Sequence, residues 1–538
     1  MTEITSIRPL AAVLVSAVAV APILASRGRQ NVREAWTVLA ALAKFGLVAS
    51  MVPAALAGDV YVTELGTFVP HVEFTLQADA LGLLFALLAS TLWIVTSFYS
   101  MGYMRGLDED HQTRYFASFA GSVSAAVGVA FASNLVVLYV FYELLTVATY
   151  PLVAHDGTDE ARAAGRKYLA YTFGGGVAVL AGTLLVYQLT GTVAFTTGGI
   201  GDLATADPTL ARAAFALLVT GFGVKAALMP MHSWLPDAMV APTPVSGLLH
   251  AVAVVKSGVF GIARVLLDVF GIDLVAELGV GGVLAAVAAF TLVVASVIAL
   301  RQDHLKRRLA FSTISQLSYI VLGIAVAGAI GSGDAAKWAL VGGLLHIPAH
   351  AFMKLTLFFC AGAVHVETHT DYISEMAGIG KRMPLTMGAF AVAAAGMAGI
   401  PLIAGFVSKY FLLIGTVSGG YLAFTGALLL SGILNIAYFW PVVYTAFFES
   451  ADGADGKPLV SSPFGGRSSS EVRADGGHGH GHGAFERRAP NGAESTWFVL
   501  APILFAAAGS VVLGVVPDAA VFLQLVREVA DAAVGVMV

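Results

Sequence analysis

The chain has 538 residues, 58% of them hydrophobic and only 12% charged, with a mean hydropathy of +0.83. So few charges cannot coat a water-soluble globule of this length, and a formal net charge of −5 offers nothing for nucleic acid. The single cysteine, Cys360, excludes an internal disulfide and any CxxC redox or metal site.

Apolar runs close to the length that crosses a bilayer core recur along nearly the whole chain. They predict spans near 8–26, 36–57, 78–99, 115–133, 134–153, 167–188, 211–229, 243–268, 277–300, 311–331, 336–362, 385–413, 421–448 and 496–516. The fold class is therefore an all-α polytopic membrane protein of about 14 transmembrane helices. The first run, Pro9 to Ala25, has no basic leader and no convincing cleavage site, and reads as a membrane helix. Gly and Ala are common in these runs, as close packing in lipid favours, and Gly174-Gly175-Gly176 in the sixth span reads as packing.

Lys and Arg concentrate in the loops after odd-numbered spans: Arg27, Arg29 and Arg33, then Arg301, Lys306, Arg307 and Arg308. Even-numbered loops are mainly acidic, with Asp59, Glu64, Asp202, Asp207, Asp268, Asp273 and Glu277. The positive-inside bias places odd loops in the cytoplasm and both termini outside the cell membrane.

Two spans carry helix breakers. The seventh runs into Met229-Pro230 and Trp234-Leu235-Pro236, and the twelfth contains Gly399-Ile400-Pro401 and Gly405. Proline removes a helix hydrogen bond, and broken backbone at membrane depth survives only when buried in protein or lining a wet cavity. Breaks five spans apart suggest two inverted five-helix repeats, about spans 4–8 and 9–13. The bundle then occupies 1–448, with the repeat core at about 115–448. Residues 449–495 are polar and Gly/Ser-rich, and read as a flexible cytoplasmic loop. Its His478, His480 and His482 alternate with Gly, and a solvated tract is favoured over a metal site. Residues 496–538 hold the last span and a short interfacial tail with Arg527, Glu528 and Asp531.

A charge at the centre of a membrane helix costs about 2.5–3.5 kcal/mol, so intramembrane ionisable residues are functional candidates by default. Glu143 lies in VVLYVFYELLTVATYPL, Lys225 beside the first break, Lys256 in the eighth span and Lys409 beyond the second break. His346, His350 and Lys354 recur every four residues on one helix face, while His250, six before Lys256, lies on another face. Burial disfavours charge and an opposite charge nearby restores it, so a switchable Glu143–Lys225 pair can release or take up a proton. Histidines extend such a row, because their ordinary titration lies near neutrality. Each has a structural alternative: an ion pair for Glu143, a carbonyl cap for Lys225, snorkelling for the other lysines, satisfied packing for the histidines. His365 and His369 read as loop residues, and Asp237 as a cap for the helix after the break. No nucleotide loop or iron–sulfur cluster motif is present, and no cofactor or metal is expected.

Residues 225–258, KAALMPMHSWLPDAMVAPTPVSGLLHAVAVVKSG, resemble the signature of the antiporter-like superfamily. That superfamily includes the D-type and A-type subunits of Mrp Na⁺/H⁺ antiporters and the proton-pumping membrane subunits of respiratory complex I and membrane-bound hydrogenases. DHLKRRLAFSTISQLSYI, HAFMKLTLFFCAGAV, GIPLIAGFVSKYFLL and FYELLTVATYPL extend the resemblance over about residues 75–450. It implies fourteen helices in two inverted repeats and external termini. It implies that Glu143 is the key glutamate, Lys225 its partner, and Lys256, His346, His350, Lys354 and Lys409 the rest of a proton relay. Departures are the single proline at Ile400-Pro401-Leu402, where the family usually has two, and a long 449–495 segment. The chain also stops soon after span fourteen, which favours a D-type subunit. The implied function is proton translocation within a multisubunit monovalent cation/proton antiporter, with other membrane subunits as partners. The alternatives are a proton-pumping subunit of complex I or a membrane-bound hydrogenase, and a membrane subunit of an inorganic-carbon uptake complex.

Overall fold

A computed structural model describes residues 2–69, 72–450, 494–518 and 521–535. The histidines of the predicted loop at 478, 480 and 482 lie outside the described residues, as does nearly all of 449–495. Ten described helices are long and apolar enough to cross a membrane, and two shorter apolar ones, Pro384–Ala398 and Ala404–Ser418, join them. The chain is a multi-pass membrane protein.

Local chemistry sets many of the helix starts. Asp79 accepts from the Gly82 amide before Ala80–Gly106, Asn134 from Val137 before Leu135–Val153, and Thr158 from Ala161 before Asp159–Thr190. Each side chain replaces a backbone partner that the first helical turn lacks. Asp207 does the same for Pro208–Lys225, where proline supplies the first helical residue. The middle of the bundle is Asp334–Thr368, 35 residues long and buried throughout its apolar stretch. At the α-helical rise this rod is about 52 Å long, well beyond the bilayer core. Helix Val521–Ala533 turns back onto the bundle, burying Leu523, Leu525 and Val526, and its Asp531 pairs with Lys337 near the start of the rod.

Three features depart from the sequence reading. A three-stranded sheet, Glu3–Thr5, Val60–Val69 and Val72–Ala78, adds to the helices; the first pair is parallel and the second antiparallel. Its alternating Val, Tyr, Thr and Phe fit a half-buried strand, and Asn134 and Ser133 tie it to the bundle through the carbonyls of Glu73 and Thr75. The span predicted over 243–268 is not continuous: Thr243–Ala251 and Val254–Arg264 are separate helices, followed by a π-turn at Val265–Val269. The eleventh helix runs on to Thr368, so His365 is helical rather than in a loop, and accepts or donates at 3.0 Å with Asp371.

The two predicted breaks are present. Pro208–Lys225 ends before Met229-Pro230, and a path of turns and short helices leads to Thr243–Ala251. The Trp234 indole donates to the Val224 carbonyl at 2.9 Å, and the Met229 amide donates to Thr291 Oγ1 at 3.1 Å. Pro384–Ala398 ends at Gly399, whose φ of +90° suits glycine. The Met397 carbonyl freed there accepts from Lys409 Nζ at 2.6 Å and from Asn435 Nδ2 at 2.9 Å.

Loops gather at two opposite ends. At one, Leu305 donates to the Asp371 carbonyl and Lys306 Nζ to the Ala241 carbonyl, beside a cleft of about 660 Å³ lined by Asp156, Lys167, Asp237 and His365. At the other, Thr196 donates to the Asp268 carbonyl, Arg264 pairs with Asp79 and Asp268, and Ser332 binds Asp273.

Candidate functional site

Lys225, at the end of Pro208–Lys225, reaches across to the Leu135–Val153 helix that carries Glu143. Lys225 is fully buried, and its Nζ donates to the Tyr142 carbonyl at 2.5 Å and lies 3.4 Å from the centre of the Tyr142 ring. The Tyr142 hydroxyl returns a bond to the Gly221 carbonyl at 3.1 Å, so the two helices are joined in both directions. Both Glu143 carboxylate oxygens are buried and bond to nothing, and no ion pair joins them to Lys225. The ammonium rests one residue short of the carboxylate. Glycine makes the space for that carboxylate: a Cβ on Gly176 would lie 2.0 Å from Glu143 Oε1.

A second group lies deeper. Lys256 Nζ is 2.9 Å from His350 Nδ1, and both side chains are fully buried. One turn earlier on the same rod, His346 bonds to Ser408 Oγ at 2.8 Å and to Gln316 Oε1 at 2.9 Å. The two imidazole centres are 6.1 Å apart. One turn later, Lys354 Nζ donates to the Leu309 carbonyl at 2.9 Å and to Ser312 Oγ. His250 is fully buried against Phe358, with ring centres 4.8 Å apart and both nitrogens unbonded. Lys409 lies over the Tyr319 ring at 4.7 Å and reaches back into the second break. Lys256, His350, His346 and Lys354 are thus brought together, whereas Glu143 and Lys225 stand apart from them with no direct bond.

A family model described as "NADH:quinone oxidoreductase/Mrp antiporter, TM" matches residues 132–434, more than half of the chain. The chain belongs to this family. The antiporter-family chain is 34% identical over 376 residues to NADH-quinone oxidoreductase subunit N of Desulforudis audaxviator, covering 67% of this chain and 72% of the relative. It is 36% identical over 368 residues to the A-type subunit of the Na⁺/H⁺ antiporter of Alkalihalophilus pseudofirmus, covering 65% of this chain but only 44% of that longer relative. In fold it is similar to a chain in the structure of the Mrp complex from Dietzia, with a TM-score of 0.81, 22% identity and coverage of 98% and 97%. A chain of the membrane-bound sulfane sulfur reductase, an archaeal respiratory membrane complex, is similar at a TM-score of 0.79, with 23% identity and 98% coverage of both. The family member is an antiporter-like membrane subunit.

In this antiporter-family chain the sequence reading missed the groups that hold the row. Ser312, Gln316 and Tyr319 come from one helix, Leu305–Ile330, and meet Lys354, His346 and Lys409 respectively. Their i, i+4, i+7 spacing in an apolar span is a signal that they share a face. Ser408 and Tyr142 left no comparable signal. Asp237 is not a cap: its carboxylate pairs with Lys167 at 2.7 Å instead, because a cation from the neighbouring helix is within reach.

Proposed function

We propose that this chain translocates protons through the row Glu143, Lys225, Lys256, His250, His346, His350, Lys354 and Lys409, as a D-type subunit of a multisubunit monovalent cation/proton antiporter. One observation carries the reading. Lysines and histidines that lipid would reject are buried inside an apolar bundle and bonded to one another or to polar groups of neighbouring helices. In this reading Lys225 moves between the Tyr142 carbonyl, where it rests here, and the adjacent Glu143 carboxylate. On the carboxylate, each charge stabilises the other; withdrawn to the carbonyl, the ammonium leaves the buried carboxylate to take a proton. Histidine and lysine contacts deeper in the bundle would pass the change onward.

The reading includes fourteen crossings, with two inverted five-helix repeats, about spans 4–8 and 9–13, each with a broken helix, odd loops in the cytoplasm and both termini outside. The two breaks, one in each half of the bundle, support it. Other membrane subunits would be its partners, as the multisubunit relatives suggest. A second reading, a proton-pumping subunit of a redox complex, is favoured by the similarity to subunit N.

Glu143→Ala and Lys225→Ala are expected to abolish ion-coupled transport in inverted vesicles while leaving the protein assembled in the membrane. Transport at the parent rate in either variant contradicts the pair. Purifying the intact complex and identifying its subunits separates the readings: small antiporter subunits support the first, iron–sulfur subunits the second.

A further inference from the structure

Away from the row, three ligand-bearing side chains meet at the end of the bundle that carries the 660 Å³ cleft. Glu109, in the turn between Ala80–Gly106 and Gln112–Phe131, and His155 and Asp156, just after the Glu143 helix, bring one donor atom each to within 4.8 Å of one another. The His155 side chain is only 2% exposed, and its Nε2 is turned to Glu109 Oε2 from 3.9 Å, too far for a hydrogen bond. No lysine or arginine ion-pairs with either carboxylate among the described residues, and the nearby Arg114 guanidinium donates to the His155 carbonyl instead.

Two carboxylates gathered beside a buried imidazole favour a cation there.

We propose that Glu109, His155 and Asp156 form a binding site for a divalent transition metal, Zn²⁺ by its ligand chemistry. Zinc takes imidazole nitrogen and carboxylate oxygen alike, and three such donors leave a fourth position for water. The imidazole disfavours Mg²⁺ and Ca²⁺, which take oxygen. Asp156 borders the cleft and is exposed, so the ion has a route in and one flexible ligand to close on it. A bound ion would tie the 107–111 turn to the end of the Glu143 helix, which stops at Val153, and would restrain that helix.

The test is Zn²⁺ titration, by calorimetry and by metal content after dialysis, on the purified complex. His478→Ala, His480→Ala and His482→Ala form the background, so that the Gly/His tract contributes nothing. One Zn²⁺ per chain is expected from this site, with affinity weakened more than about tenfold by His155→Ala and by the double change Glu109→Gln with Asp156→Asn. The isosteric double variant keeps side-chain volume and reads the site if His155→Ala fails to accumulate. Equal Zn²⁺ binding in parent and variants overturns the proposal, as does displacement of Zn²⁺ by equimolar Mg²⁺.

Discussion

At the scale of single residues, the cost of charge in lipid makes the candidates visible, because it needs only the residue and the run around it. Glu143, Lys225, Lys256 and Lys354 were legible for that reason. Their partners were not. The Lys256–His350 contact joins residues 94 apart, and no periodicity encodes it. The triple glycine is instructive. Composition reads it as helix packing, which holds for Gly175 against the Gly221 carbonyl, whereas Gly176 clears room for a carboxylate and Gly174 faces open space. Gly176→Ala should therefore push the flexible end of Glu143 aside at little cost to stability and reduce proton flux in reconstituted liposomes at least tenfold. Gly174→Ala should leave flux near the parent rate; equal flux in both variants would show that the carboxylate does not depend on that space.

Among elements, helices and their breaks were largely readable and their exact ends were not. Prolines announce the interruptions, yet the helices stop earlier, at Lys225 and Ala398, where side chains from other helices take up the freed carbonyls. The gap at Val252–Ala253 lies in a stretch with no proline or glycine, and nothing local marks it. The start of Pro384–Ala398 depends on a distant residue as well. Buried Glu494 accepts from the amides of Leu385 and Thr386 at 3.2 and 3.1 Å, capping that helix from across the chain. Burial outweighs those bonds and pushes its carboxyl from 4.5 up to about 7. A raised carboxyl means that the folded state holds the proton more tightly than the unfolded chain. Its contribution is complete below about pH 4.5 and is lost as pH rises through about 7. Glu494→Gln, which keeps the shape and one acceptor, should flatten the pH dependence of thermal unfolding between pH 5 and 8. An unchanged slope would remove Glu494 as its source.

For the whole molecule, composition alone settled membrane residence, and the alternation of basic and acidic loops anticipated which segments gather together. Segments after odd-numbered predicted spans meet around the cleft, and those after even-numbered spans meet around Arg264 and Asp273. The small sheet is not legible from hydropathy, because its strands lie in the stretch between the apolar peaks. The Gly/His tract belongs to no part of the row, so replacing His478, His480 and His482 with alanine should leave ion-coupled transport in vesicles within about twofold of parent. A large loss would place that tract in the working machinery.

Lys225 has a further property that follows from where its nitrogen sits. Its acceptor is an oxygen of the main chain, at Tyr142, and main-chain oxygens survive every side-chain replacement. Alanine scanning along that helix would register the ring beneath the ammonium and remain blind to the atom that holds it. Exchanging the amide between 142 and 143 for an ester leaves every side chain intact and weakens this acceptor, at the cost of the Glu143 N–H, so the same exchange one residue later serves as the control.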